Sequence, residues 1–231
     1  MGSKVLGPMR GGGVTPTPLY VGPLRAPGGA LVYAKPSFIF QQDFTNVVAV
    51  DPNGYVTSKT SAALPDAAGT VTFTPDGALT GGVPDLPRNV VITVTHASAV
   101  VAASGVITGT DEYGSPITEA WSVTAGTTSK VFTGAVAFAV VSSVTYVTGA
   151  DATTNTFIMG TGKVLGLSLP ADAPVIVAEL SGGTAVTNGV LVAASTTSNE
   201  DTRGTYTPNG TPNGTLDFSI WYIGTSPATV L

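Results

Sequence analysis

Cysteine is absent from all 231 residues, which excludes disulfides, thiolate metal sites and cysteine nucleophiles together. Histidine occurs once, at His96, so neither a two-histidine zinc site nor an HExxH arrangement can be assembled. A Ser-His-Asp triad would have to use His96, and no serine stands in a G-x-S-x-G context. The plain reading is a histidine at a strand end, continuing the face of Val90, Ile92 and Val94. Charge is scarce as well: 10% of residues are charged, against roughly 25% in ordinary soluble domains. A surface of Thr, Ser, Gly and Ala follows, suited to packing against further copies or a partner. With a net charge of -5 and no basic cluster, electrostatic binding to nucleic acid or an anionic membrane is not expected.

The opening Met1-Gly-Ser-Lys-Val-Leu-Gly-Pro8 has no apolar stretch of secretory length, which predicts synthesis in the cytoplasm without Sec export. Residues 131–150 carry no charge over about the length of a membrane span. Yet Thr133, Gly134, Ser142, Ser143, Thr145 and Thr148 interrupt them, and no aromatic belt with basic flanks is present. Alternation places Phe132, Val136, Phe138 and Val140 on one strand face with a bend at Gly134, so strands are predicted in place of a span.

Proline and glycine are distributed unevenly. Gly11–Gly13, Pro16, Pro18, Pro23, Pro27, Gly28, Gly29 and Pro36 break any helix or central strand. Residues 1–36 therefore read as an irregular arm, punctuated by the apolar anchors Leu19, Tyr20, Val21, Leu24, Leu31, Val32 and Tyr33. Such spacing suits an extended segment seating side chains in successive pockets of another surface. Short strands are expected near 37–40, 47–50 and 70–74, separated by the turn sequences Asp51-Pro-Asn-Gly54 and Thr74-Pro-Asp-Gly77. The arm with these strands is assigned to residues 1–86.

From residue 87 to 231 the period-two signal is regular. Asn89–Thr95 puts Val90, Ile92 and Val94 on one face. Further strands are expected at 105–109, 117–124, 129–140, 144–147, 154–159, 164–169, 175–180, 184–192, 204–207 and 215–223, with turns at Gly182-Gly183, Asn188-Gly189, Asn209-Gly210 and Asn213-Gly214. The predicted fold class is all-β, a β-sandwich of jelly-roll or immunoglobulin-like type preceded by an extended Pro/Gly-rich arm.

Other motifs reduce to structure. Gly160-Thr-Gly-Lys-Val-Leu-Gly166 lacks the phosphate-loop spacing, with Phe157 and Val164 where Gly and Ser/Thr are needed, and reads as a hairpin or bulge. Asp111 and Glu112, with Glu119 beyond, lack the alternating oxygen spacing of a calcium loop and read as solvated. The Asn-Gly-Thr tripeptides at Asn209 and Asn213 read as turns. Trp121, with Ile117 and Val123, and Trp221, beside the face of Phe218, Ile220 and Tyr222, are expected in a core or subunit contact ahead of a sugar platform. No catalytic residue, metal or cofactor is expected.

The stretches RNVVITVTH (88–96), GVITGTDEYGSPITEAWSV (105–123), SKVFTGAVAFAVVSSVTY (129–146), GTGKVLGL (160–167) and TRGTYTPNGTPNGTLDFSIWY (202–222) resemble structural proteins of tailed-bacteriophage virions. The resemblance implies a capsid decoration (cement) protein, bound to the major capsid protein on the capsid exterior and commonly a homotrimer. On that basis a non-enzymatic protein is expected whose arm clamps neighbouring capsid subunits. Its candidate capsid or subunit contacts are Leu19, Tyr20, Leu24, Val32, Tyr33, Phe38, Phe40 and Trp221. The competing expectation is a tail or head-fibre adhesin binding host surface glycans through the sandwich.

Overall fold

The computed structural model describes residues 17–18, 24–25, 31–32, 37–60 and 63–225. Among them the chain is almost wholly β, with a single 3-10 turn at Thr80–Gly82 and no α-helix. One antiparallel sheet runs β1 (Thr17–Pro18), β4 (Ser37–Phe44), β17 (Phe218–Thr225), β13 (Ala171–Ser181) and β14 (Thr184–Ala185). A second runs β10 (Ser129–Phe138), β7 (Arg88–His96), β12 (Asn155–Gly166), β16 (Thr205–Thr207) and β15 (Val190–Val192), with β5 (Val56–Lys59) also paired to β12. The third is β6 (Gly69–Phe73), β11 (Val140–Thr148), β8 (Ala103–Thr110) and β9 (Pro116–Val123). Strands β2 (Leu24–Arg25) and β3 (Leu31–Val32) pair antiparallel as a separate two-stranded sheet.

The sheets enclose two hydrophobic cores. In the first, Val90, Ile92 and Val94 of β7 and Phe157 and Met159 of β12 meet Ile107, Trp121, Val144 and Tyr146 of the third sheet. The expected alternation on β7 is realised, its odd positions Val91, Thr93 and Thr95 being half-buried. Trp121 lies within 6 Å of both the Tyr146 and Phe157 ring centres and donates its indole N–H to Thr145 O at 3.0 Å. Contacts of this geometry add about 0.5–1.5 kcal/mol each beyond area burial. The second core joins Phe40 and Phe44 of β4 and Phe218, Ile220 and Tyr222 of β17 to Leu165 and Leu167, Leu191 and Tyr206.

Strand β12 links the two cores, its first half in one and its last residues in the other. The predicted strands 154–159 and 164–169 are thus largely one strand, and the glycine motif between them is an irregularity in its pairing with β7, between Thr161 and Leu165. A Cβ on Gly160 would collide with the Asp51 carbonyl oxygen, and one on Gly162 with the Asn89 side chain. The glycines therefore let the 51–52 backbone cross β12 at contact distance. Residues 131–150 form β10 and β11, with the predicted break appearing as a register shift between Thr133 and Ala137. The predicted strand 184–192 is divided into β14 and β15 because the intervening Val186, Asn188 and Gly189 bond back to β13. The Gly182-Gly183 turn before it has φ of 56° and 77°, the left-handed pair that a tight two-residue hairpin turn requires.

The boundary expected at residue 86 does not coincide with any break between sheets. Strands β4, β5 and β6 pair with β17, β12 and β11 respectively, and Val47, Tyr55, Val56, Leu64 and Phe73 are buried. Residues from 37 onward belong to the β-domain. Arg88 locks this junction from inside: it is fully buried, grips both carboxylate oxygens of Asp85 at 2.7 and 2.8 Å, and donates to Val48 O and Gly162 O.

Candidate functional site

Three surfaces offer chemistry. The first is the outward face of the sheet containing β4, β17 and β13. Side chains on β17 alternate, so Phe218, Ile220 and Tyr222 enter the core while Trp221 and Ile223 face out, half-buried. Trp221 stands opposite Gln41 of β4 and Ala178 of β13, and Ile223 opposite Ile39. On β13, whose pairing with β17 is irregular between Ile176 and Ala178, Val175 is 46% and Val177 49% exposed. The face thus mixes Trp221, Ile223 and Ile39 with Gln41 and Ser219, and the Gln41 amide donates to the Asp43 carboxylate at 3.2 Å on the same side.

The second is a groove of about 460 Å³ at the far end of β4, between Gln42, Asp43 and Phe44, the 83–87 segment, Glu112, Tyr113 and Ser168. Three carboxylates line it: Asp43, Asp85 and Glu112. Arg88 holds Asp85 from behind, and Arg203 approaches Glu112 Oε1 at 3.6 Å. Burial pushes the Glu112 carboxyl above its ordinary value, opposed by the Arg203 charge. Tyr113 is exposed, donates its hydroxyl to Ser168 O at 2.8 Å, and lies under the Arg203 guanidinium at 5.0 Å.

The third, about 210 Å³, is lined by Thr197, Ser198, Asn199, Thr202 and Arg203 among others. Arg203 is 7% exposed, and its Nε and Nη1 have no hydrogen-bond partner; Nη1 has only the ion pairs to Asp111 and Glu112 at 3.8 and 3.6 Å. Asp201 caps the loop by accepting from the amides of Ala137 and Arg203. Nearby Glu119 is 2% exposed: Oε1 accepts from Ala135 N at 2.6 Å and Val136 N at 3.3 Å, while Oε2 has no partner. Burial pushes its carboxyl up to about 7 against the pull of the two amides, and the charge of Asp201 adds to the rise.

The sequence-predicted contacts scatter. Leu19, Tyr20 and Tyr33 lie outside the described residues, and Leu24 and Val32 are direct cross-strand partners in the β2–β3 hairpin. Phe40 is 2% exposed and packs on Tyr222 in the second core, so it is corrected from a surface contact to a core residue. Phe38 is half-buried against the same core. Trp221 alone among the contacts with described side chains lies on an outward sheet face.

Trp121 is buried in the first core, as one of its two expected roles required. His96 ends β7, its Nδ1 accepting from the amides of Ser98 and Ala99 at 2.8 Å. Asp111 and Glu112, expected to be solvated, instead face Arg203. The placement of Glu119 was missed although its signal was present, since position 119 falls between Ile117 and Trp121 on the inward parity of β9. No three His, Asp or Glu side chains among the described residues gather in a way that would hold a metal ion.

Fold and surfaces define a class no finer than an all-β, sandwich-like protein with low-charge outer faces. No family model, curated protein or solved structure matches the chain.

Proposed function

We propose that this chain is a non-enzymatic virion structural protein, a decoration (cement) protein that binds the major capsid lattice of a tailed-phage head from outside as a homo-oligomer, in the first instance a trimer. The observation that carries the reading is the outward sheet face on which half-buried Trp221, Ile223 and Ile39 stand, with Val175 and Val177 exposed on the neighbouring strand, set in a chain with 10% charged residues. Apolar side chains grouped on an outward sheet face support an association role. The sequence resemblance supplies the partner. Several weak contacts on one oligomer add effective concentration, so attachment tightens without any strong single contact. The test is to add full-length protein to heads that lack it and locate it by particle imaging. Density at regular lattice positions on the head exterior supports the reading; density only on fibres or tail, or none, overturns it.

A second reading, an adhesin for host surface glycans, is favoured by one observation. The 210 Å³ pocket is lined by the hydroxyl and amide side chains of Thr197, Ser198, Asn199 and Thr202 beside Arg203, a set of groups that suits sugar hydroxyls. Glycan-array binding that Arg203→Met abolishes would support it over the first reading.

A further inference from the structure

Among the described residues Tyr113 is the one exposed aromatic, at 58%, and the fold nevertheless holds its ring in place. Its hydroxyl donates to Ser168 O at 2.8 Å, in the connection between β12 and β13, and the Arg203 guanidinium lies over the ring at 5.0 Å. The turn between β8 and β9 that carries it is closed by Asp111, whose carboxylate accepts the amides of Tyr113 and Ser115 at 2.8 and 2.9 Å, and by Gly114 at a φ of 80°. Arg203 is itself buried and ion-paired to Asp111 and Glu112, so the ring rests on a fixed part of the fold. Fixing an exposed ring adds little to a core, but it lowers the entropy lost when a ligand settles on that ring.

Tyr113 borders the groove of about 460 Å³, whereas Arg203 lines the neighbouring pocket and not this one. The guanidinium therefore backs the ring and leaves its other face to the groove. The remaining polar walls are Asp43, Asp85 and Glu112, which as carboxylates only accept hydrogen bonds, each with room for about four. Asp43 accepts from the Gln41 amide at 3.2 Å and keeps lone pairs free. Arg88 stands against Asp85 and Arg203 against Glu112, so the field in the groove is only weakly negative. A pyranose complements this arrangement: its C–H face is apolar, its rim donates hydroxyls, and it carries no charge. An anionic sugar is repelled by Asp43, and a cation gains little where two of three carboxylates already have arginines behind them. The volume falls within the roughly 300–1,000 Å³ of small-ligand sites.

We propose that the groove between Tyr113, β4 and the 83–87 segment binds an uncharged saccharide, one ring stacked on Tyr113 and its hydroxyls donated to Asp43, Asp85 and Glu112. The site is separate from the Arg203 pocket, and the inference does not rest on the decoration reading, because it concerns the isolated chain.

The test applies full-length protein to an array of neutral, amino and sialylated oligosaccharides and measures the strongest neutral binder by calorimetry. Binding to neutral glycans is expected, weakened about tenfold or more by Tyr113→Ala and largely kept by Tyr113→Phe, which retains the ring. Asp43→Ala, on the opposite wall, is expected to weaken it as well, and Ser198→Trp, which fills the 210 Å³ pocket, to leave it unchanged. Unchanged urea midpoints in these variants show that the effects are local. Absence of glycan binding, binding confined to sialylated or amino glycans, or binding that survives both Tyr113→Ala and Asp43→Ala overturns the proposal. Loss in Ser198→Trp without loss in Tyr113→Ala would place the sugar in the Arg203 pocket, and Tyr113-dependent binding of oligolysine in place of glycans would make the groove a dock for a basic protein; each overturns it too.

Discussion

At the residue scale, the buried charges carry the sharpest consequences. Glu119 holds its proton up to about pH 7 in the folded chain, against an ordinary value of 4.5. The folded state therefore binds more protons across that window, and stability falls as pH rises from about 4.5 to about 7, by at most about 3 kcal/mol. Glu119→Gln keeps an acceptor for the Ala135 and Val136 amides and removes the titration. Its denaturation midpoint is expected to match the parent near pH 4.5 and to exceed it progressively toward pH 8. Parallel midpoint-against-pH curves for the two proteins would sink this account. Arg88 behaves differently, since removing it leaves Asp85 without its bidentate partner and the Val48 and Gly162 carbonyls without a donor. Arg88→Ala is expected to cost about 3–5 kcal/mol in urea unfolding, whereas replacing exposed Lys163 by Ala should change stability by less than about 0.5 kcal/mol.

At the element scale, strand β12 depends on the two glycines that let other groups lie against it. Gly162→Ala would drive a methyl group into the Asn89 side chain, which itself bonds Gly134 O and the Val164 amide. Loss of those bonds together with overpacking is expected to cost about 1–3 kcal/mol, read as a lower urea midpoint. Gly81→Ala, where nothing stands within 4 Å but φ is 66°, tests backbone strain without crowding and should cost only about 1 kcal/mol. Such strands also mark how far the sequence was legible. The segments of β7, β8, β9 and β17 announce themselves because one face is core and the other is not, so their period of two survives. The expected strands at 37–40 and 70–74 are β4 and β6, the one at 47–50 is not a strand and β5 was not expected; all fell in the arm because their partners lie far along the chain, Ile39 pairing with Ile223 and Val56 with Met159. Local composition there is dominated by the Pro and Gly of the connecting turns, and no local pattern encodes a distant partner. The candidate surfaces were less legible still. Trp221 was read beside the face of Phe218, Ile220 and Tyr222 with core and subunit contact both open, and the strand alternation sets it half-buried opposite them; the acidic groove and the Arg203 pocket assemble from loops that only the folded sheets bring together.

At the scale of the whole molecule, the proposed decoration role leaves two candidate surfaces for holding a capsid, the arm and the outward sheet face. The two make separable predictions. If the apolar anchors between Leu19 and Tyr33 grip the lattice, deletion of residues 1–36 should abolish sedimentation with heads, while deletion of residues 1–16 alone should leave it intact, because those anchors remain. If the sheet face holds instead, Trp221→Glu should reduce head binding at least tenfold in the full-length protein. It should do so with little loss of stability, since the side chain is half-buried on an outward face and its replacement empties no core. Phe40→Ala is the internal control, expected to destabilise the second core by about 3–5 kcal/mol and to affect attachment only through unfolding. A Trp221→Glu variant that binds heads like the parent, together with a 1–36 deletion that also binds at full occupancy, would remove both surfaces from the reading and with them the case for a decoration protein.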